Sequence, residues 1–404
     1  MAAPTLPRSY YRVVGASGVS NLADGIRLAA FPLLAISLTN SALLIALVFA
    51  AGELPRMLLG FWAGGVADRL DRQRLAARVA IIRATMLVSL GVLILAGLVP
   101  LWLVVAAAFV LGVGEVLADS VSDVLVPLLV APTDLERANS RLVGVTIVGN
   151  ELIGPALGGL IFTLGASLPF FSNATLLALA FLLLAGLPAL DPGKRPSVDL
   201  PVPVRHRGFD GVPFLRANPM LSTLTWSGGL LAAVDAAWFS ILVVFVHDEL
   251  GYEAAGFGML LAIGAVGGLG GAWLADRRPN LSLVSVAIGV FAATAMTLVA
   301  LALRPTPALT ALALIVTSFV FAVWNVFMVS ARQRATPNEL MGRVGAAYRT
   351  VVVTCGLVGA LIGGLIADAT SLRSALIAYG IILAVATPLV GLRLAHASGN
   401  KVNK

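Results

Sequence analysis

Gly64-Gly65-Val66-Ala67-Asp68-Arg69 closes one long apolar run, and Ala272-Trp273-Leu274-Ala275-Asp276-Arg277 closes another 208 residues later. Downstream of the first lies Pro132-Thr133-Asp134-Leu135, followed by Gly154 and Gly158-Gly159. The same order returns 205 residues on as Pro337-Asn338-Glu339-Leu340, then Gly359 and Gly363-Gly364. An offset this constant marks a duplication, two halves of like build. In a bilayer, paired repeats hold a binding site between them, and rocking of one against the other is the natural motion.

Composition places the chain in the membrane. Of its 404 residues 59% are hydrophobic and 12% charged, against about 25% charged in a soluble domain. A spanning helix needs about 20 mostly apolar residues, and roughly twelve such runs occur, six in each half. The spacing predicts spans at 13–38, 41–66, 77–98, 101–128, 138–164, 168–190, 219–246, 254–275, 281–303, 307–330, 340–367 and 372–394. The runs are long and lack a ten-residue alternation, which excludes a transmembrane barrel. The expected fold is an all-α membrane protein of twelve transmembrane helices in two six-helix pseudo-symmetric bundles. The bundles cover residues 1–190 and 219–404, joined by a cytoplasmic linker at 191–218 rich in Pro and charge. Within the linker, Phe209 to Leu215 reads either as an amphipathic stretch on the membrane surface or as plain linker.

The net charge of +7 does not point to nucleic acid, because the basic residues fall in alternate loops. Arg8, Arg12, Arg69, Arg72, Arg74, Arg78, Lys194, Arg195, Arg205, Arg207, Arg216, Arg277, Arg278, Arg332, Arg334, Arg343, Lys401 and Lys404 all lie on one side of the expected spans. The opposite loops hold only Arg304 and Arg373. By the positive-inside rule both termini are cytoplasmic. Cys355 is the only cysteine and His206, His247 and His396 are scattered, so neither a disulfide nor a histidine metal site is expected. No phosphate-binding loop occurs, and direct use of ATP has no support. No cofactor is expected.

Charge inside a bilayer costs roughly 2.5–3.5 kcal/mol per residue on insertion scales, so each buried charge asks for a reason. Asp24 and Arg27 are three apart on the first span, and Glu53 and Arg56 repeat that spacing on the second. Each pair reads either as a structural ion pair or as a proton-switchable one. Glu115, Asp119 and Asp123 make an acidic stripe on the fourth span. Arg83, Asp123 and Arg141 are expected to form a cytoplasmic charge cluster that opens and closes, and Arg349 is counted with them among the gating residues. Aligning Ser17-Gly18 with Ser227-Gly228 carries Asp24 to within one residue of Asp235. Asp235 has no basic residue on its own helix, which suits an acid that exchanges protons with a water-filled cavity. Trp226, Trp238, Trp324 and Asn325 are candidates to line a pocket for an amphipathic ligand; ordinary packing is the other reading.

At this point the chain resembles a major facilitator superfamily transporter over nearly its whole length. The loop Gly64 to Leu75 is similar to that superfamily's signature between helices two and three, which implies Asp68 and Arg72 as gating residues. Gly154-Pro155-Ala156-Leu157-Gly158-Gly159 resembles the end of the helix-five motif of drug–proton antiporters; Asn150 stands where the motif carries its upstream glycine, with Gly149 beside it. The Asp24 region, Leu54-Pro55-Arg56 and Thr336-Pro337…Gly342-Arg343 look most like the branch holding macrolide and enterobactin exporters. The resemblance implies export of a drug or an amphipathic metabolite by proton antiport. It further implies a monomer in the bacterial inner membrane that acts on a small molecule and is not an enzyme. Two alternatives keep the fold: a proton-coupled importer and a lysophospholipid flippase. A membrane-embedded metal enzyme on the acidic stripe is the remote one.

Overall fold

The computed structural model describes residues 6–59, 72–130, 134–185, 211–278, 280–337 and 340–399, with backbone alone at 72–74, 76, 119–128, 135–136, 211 and 398–399. The apolar runs become helices: α1 Arg8–Leu38, α2 Ala42–Leu59, α3 Arg72–Leu95, α4 Leu101–Leu129 and α5 Leu135–Thr146. A π-helical turn at Ile147–Ile153 follows, then α6 Gly154–Leu164, α7 Leu168–Ala185 and the short α8 Gly211–Ala217. The chain continues with α9 Pro219–Asp248, α10 Ala254–Arg277, α11 Leu283–Leu303, α12 Pro307–Ala335, α13 Met341–Ala369 and α14 Leu372–Gly399. With α5, the π turn and α6 counted as one crossing, twelve helices among the described residues are long and apolar enough to span a bilayer. The twelve predicted spans are all present. The last residues predicted for the second and sixth, 60–66 and 186–190, lie outside the described residues, as does the linker as far as 210.

Helix ends carry the local chemistry that sets them. Asn218 accepts from the Met220 and Leu221 N–H groups at 3.0 and 3.2 Å and Pro219 opens α9, so cap and fixed φ agree. Thr306 and Ser282 cap α12 and α11 in the same way. Among the described residues two turns need left-handed backbone, Gly97 at φ 67° and Gly251 at φ 68°. At the second, the Tyr252 N–H reaches back to the Val246 carbonyl at 3.1 Å, closing the helix end as a left-handed glycine cap does.

The described residues form two compact units. Unit 1 is Met1–Leu38, Ala51–Arg205 and Glu253–Met259; unit 2 is Thr39–Ala50, His206–Tyr252 and Leu260–Lys404. In unit 1, α1 lies against α4, α5, the π turn, α6 and α7. One end of α1 is pinned by the Tyr10 hydroxyl, which donates to the Ala138 carbonyl at 3.0 Å within a cluster of Leu6, Val13 and Val130. In unit 2, α9 packs along α13 and α11 along α14. The short α8 is anchored by Leu215, buried with Leu221, Val344 and Ala347. Unit 2 holds the start of α2 because the Asp368 carboxylate accepts from the Ser41 hydroxyl at 2.8 Å and the Ala42 N–H at 2.9 Å.

Candidate functional site

The first four helices of unit 1 bring six charges into one chain of alternating sign. Arg83 on α3 donates to Asp24 on α1. Asp24 lies 3.6 Å from the Arg27 guanidinium one turn along. Arg27 donates to Glu115 on α4, whose other oxygen accepts from Arg56 on α2. Arg56 closes the series on Glu53, meeting both carboxylate oxygens at 2.8 Å. Three acids and three arginines leave no net charge, which is how such groups persist away from water. Exposure is graded along the chain. Arg83, Asp24 and Glu115 side chains are 3%, 6% and 6% exposed, whereas Glu53 and Arg56 are 34% and 38% exposed.

Small residues make room for this arrangement. Gly114, one residue before Glu115, lies under the stem of Arg83, so that a Cβ there would come within 2.6 Å of the Arg83 Cδ. Gly112 sits against the Gly52 carbonyl and Pro55, which brings α4 close enough to α2 for one carboxylate to receive arginines from two helices. The i, i+3 pairs Asp24–Arg27 and Glu53–Arg56 are therefore present, as parts of a larger network. Arg83 turns to Asp24, and Arg141, exposed, donates to the Tyr11 hydroxyl at 3.1 Å. The Asp119 and Asp123 side chains lie outside the described residues, as do Asp68 and the Arg72 side chain. The expected contact of Arg83 and Arg141 with Asp123 therefore falls outside them as well.

Beside the network, α1 touches the antiporter-like segment backbone to backbone. A Cβ at Gly25 would lie 2.6 Å from the Gly149 carbonyl oxygen and 2.9 Å from the Gly154 Cα. Gly158 meets Ile26 and Ala29, while Pro155 opens α6. The π turn inserts one extra residue into the fifth crossing, and the Gly154 N–H bonds five residues back to Gly149. That shift turns Gly149 toward α1, where a Cβ would sit 3.0 Å from the Leu22 nitrogen. Gly149, beside Asn150, is thus the glycine of the turn that meets α1 here. Asn173 on α7 adds a bond that sequence reading missed, donating to the Ala23 carbonyl at 2.6 Å.

In unit 2, Asp235 on α9 is partly buried and has no hydrogen-bond or ion-pair partner among the described residues. Trp238 is 2% exposed and packs edge-on against Phe245. Trp324 is likewise buried against Phe291, and Asn325 and Arg349 are exposed. In the second copy of the loop motif, Arg277 stacks on Trp273 at 5.0 Å. Trp226 lines an apolar groove of 650 Å³ on this unit. Among the described residues no three His, Cys, Asp or Glu side chains converge as metal ligands.

Twelve crossings in a duplicated chain, with a neutral ladder of buried charge in one unit and an unpaired acid in the other, have the build of a transporter of the major facilitator fold. The chain belongs to the transmembrane secretion effector family, whose profile matches residues 2–403. It is 28% identical over 383 residues to the multidrug efflux pump Tap of Mycolicibacterium fortuitum, covering 89% of both chains. It is 29% identical over 338 residues to the enterobactin exporter EntS of Escherichia coli O1:K1, covering 79% of this chain and 76% of that one. Among solved structures it is similar to a bacterial homologue of the human lysosomal transporter Spinster in an inward-facing, unoccupied conformation. That match has a TM-score of 0.77 at 14% identity over 97% of this chain and 98% of the other. The nucleoside transporter NupG matches with a TM-score of 0.77 at 15% identity, over 95% of this chain and 100% of the other. The protein is a multi-pass membrane transporter of this family and not an enzyme.

Proposed function

We propose that this chain is a proton-driven exporter of a drug or an amphipathic metabolite of macrolide or siderophore type, working by alternating access. The observation that carries the reading is the contrast between its acids. Asp24 and Glu115 are held by arginines, so a proton arriving at either must displace a guanidinium. Asp235 stands with no partner and takes a proton without breaking a pair. In this reading Asp235 is the proton carrier. The network of Asp24, Arg27, Glu53, Arg56, Arg83 and Glu115 is the framework that reorganises around it, and Asp119 extends the acid path. Asp68, Arg72, Asp123, Arg141 and Arg349 latch the cytoplasmic side, and Trp238 and Asn325 belong to the substrate path. The efflux relatives support export of a small molecule, and the charge bias of the loops supports cytoplasmic termini in a bacterial inner membrane.

Purified protein in proteoliposomes, given an imposed pH gradient with a macrolide or enterobactin inside or outside, tests the reading. The expected result is flux against the proton flow that Asp235→Asn abolishes while insertion and folding persist. Undiminished pH-driven flux in that variant overturns the role of Asp235. Flux in the same direction as protons makes the chain an importer.

A further inference from the structure

We propose that unit 2 carries a binding groove for an anionic phospholipid, with the headgroup at Arg216 and an acyl chain laid along α9. The groove, 650 Å³ in volume, is walled by α8, α9, α13 and α14. Along α9 its lining runs from Ser222 to Ala237, about 22 Å at the rise of a helix. Its walls are apolar, and the one charged residue that lines it is Arg216 on α8, at the Ser222 end. A second cation stands at that end, because Arg393 stacks over Trp226 at 5.6 Å. Several wall residues, Trp226, Val358 and Ile382 among them, are more than a third exposed, so the groove opens sideways along the helices. In a chain that spans a bilayer, a long apolar trough with cations at one end matches an amphiphile with an acidic head. Each arginine near such a headgroup contributes on the order of 1 kcal/mol. The anchored Leu215 holds α8 where Arg216 can serve. The site is separate from Asp235, which does not line the groove, so it stands or falls independently of proton coupling.

Cys355 lines the groove and is the only cysteine in the chain, so it reports occupancy without mutation. Full-length protein in neutral detergent is labelled with N-ethylmaleimide while dioleoylphosphatidylglycerol or dioleoylphosphatidylcholine is titrated in. The expected result is saturable protection by the glycerol lipid at lower mole fraction than by the choline lipid. Arg216→Gln should raise the protecting concentration about five-fold, the effect of losing one cation near a headgroup. If Cys355 proves unreactive, brominated-chain phosphatidylglycerol quenching of Trp226 fluorescence, taken against Trp226→Phe, reads the same titration with the same expectations. Equal, non-saturating effects of both lipids, or none with either, overturn the proposal. The buried Tyr379 hydroxyl at the Ala237 end has no hydrogen-bond partner among the described residues. Protection lost in Tyr379→Phe but kept in Arg216→Gln would make the occupant a ligand with a polar far end, and would also overturn the lipid.

Discussion

Glu115 receives Arg27 on one oxygen and Arg56 on the other, and this double contact governs how the buried acids of unit 1 behave. Neutralising it would leave two guanidiniums facing each other across α1 and α2. Removing one partner of a buried pair costs about 3–5 kcal/mol, so Glu115→Gln should lower the thermal unfolding midpoint in detergent sharply. Glu53 is the contrast, since its side chain is 34% exposed. A partly exposed pair contributes at most about 1 kcal/mol, and Glu53→Gln should move the midpoint little. Equal losses in the two variants would contradict the graded burial of the chain. Gly114→Val should imitate the loss of Arg83 without touching a charge, because its new methyl groups occupy the place of the arginine stem. A double-mutant cycle with Asp24→Asn checks this, since the two effects should fail to add.

The π turn is the element that fits α1 to the fifth crossing. An extra residue in a helix rotates everything beyond it, and such turns recur at functional sites. Deleting Asn150 should restore regular α-helix, carry Gly149 away from α1 and abolish transport in a protein that still inserts; retained transport would show that the register is dispensable. Gly25→Ala tests the same seam from the other side, since its methyl group would press on the Gly149 carbonyl. Much of this was legible in the sequence. The spans follow from apolar length, and the pairs Asp24–Arg27 and Glu53–Arg56 from three-residue spacing. The partners of Arg83 and Glu115 were not legible, because Asp24 lies 59 residues from Arg83 and Arg27 lies 88 from Glu115. Which helix faces which, and at what depth, depends on the backbone approach of Gly112 to Gly52 and on the room Gly114 leaves for the Arg83 stem. Nothing local distinguishes those three among 41 glycines. The π turn was hidden too, although Gly149 beside the unexpected Asn150 was its trace.

Over the whole chain, α2 and α10 each belong to both units, divided after Ala50 and after Met259. The duplicated offset predicted two halves, but not that each compact unit would include the start of a helix from the other half. Small residues make this possible. Gly364 packs on Ala42, Leu43 and Ala46 within unit 2, and Gly159 packs on Ala254 and Gly258 within unit 1. Asp368 adds a carboxylate at the start of α2, where free N–H groups and the helix dipole favour negative charge. Its worth is that of a helix cap, about 1 kcal/mol. Asp368→Ala should therefore speed hydrogen exchange at the Ala42 amide several-fold while leaving the centre of α9 protected. Unchanged exchange at Ala42 would remove Asp368 from that role.

The equal numbers of acids and arginines in unit 1 bear on electrical behaviour. A group of charges that sums to zero can shift within an electric field with little net work done on it. An ionised Asp235 is different: one elementary charge carried through the full membrane potential exchanges about 2.3 kcal/mol per 100 mV. If that acid alternates between sides, voltage acts on the transporter through it. Flux at fixed pH, with the potential set by potassium and valinomycin, should depend on voltage in the parent protein; flux indifferent to voltage would show that Asp235 does not cross the field as an ion.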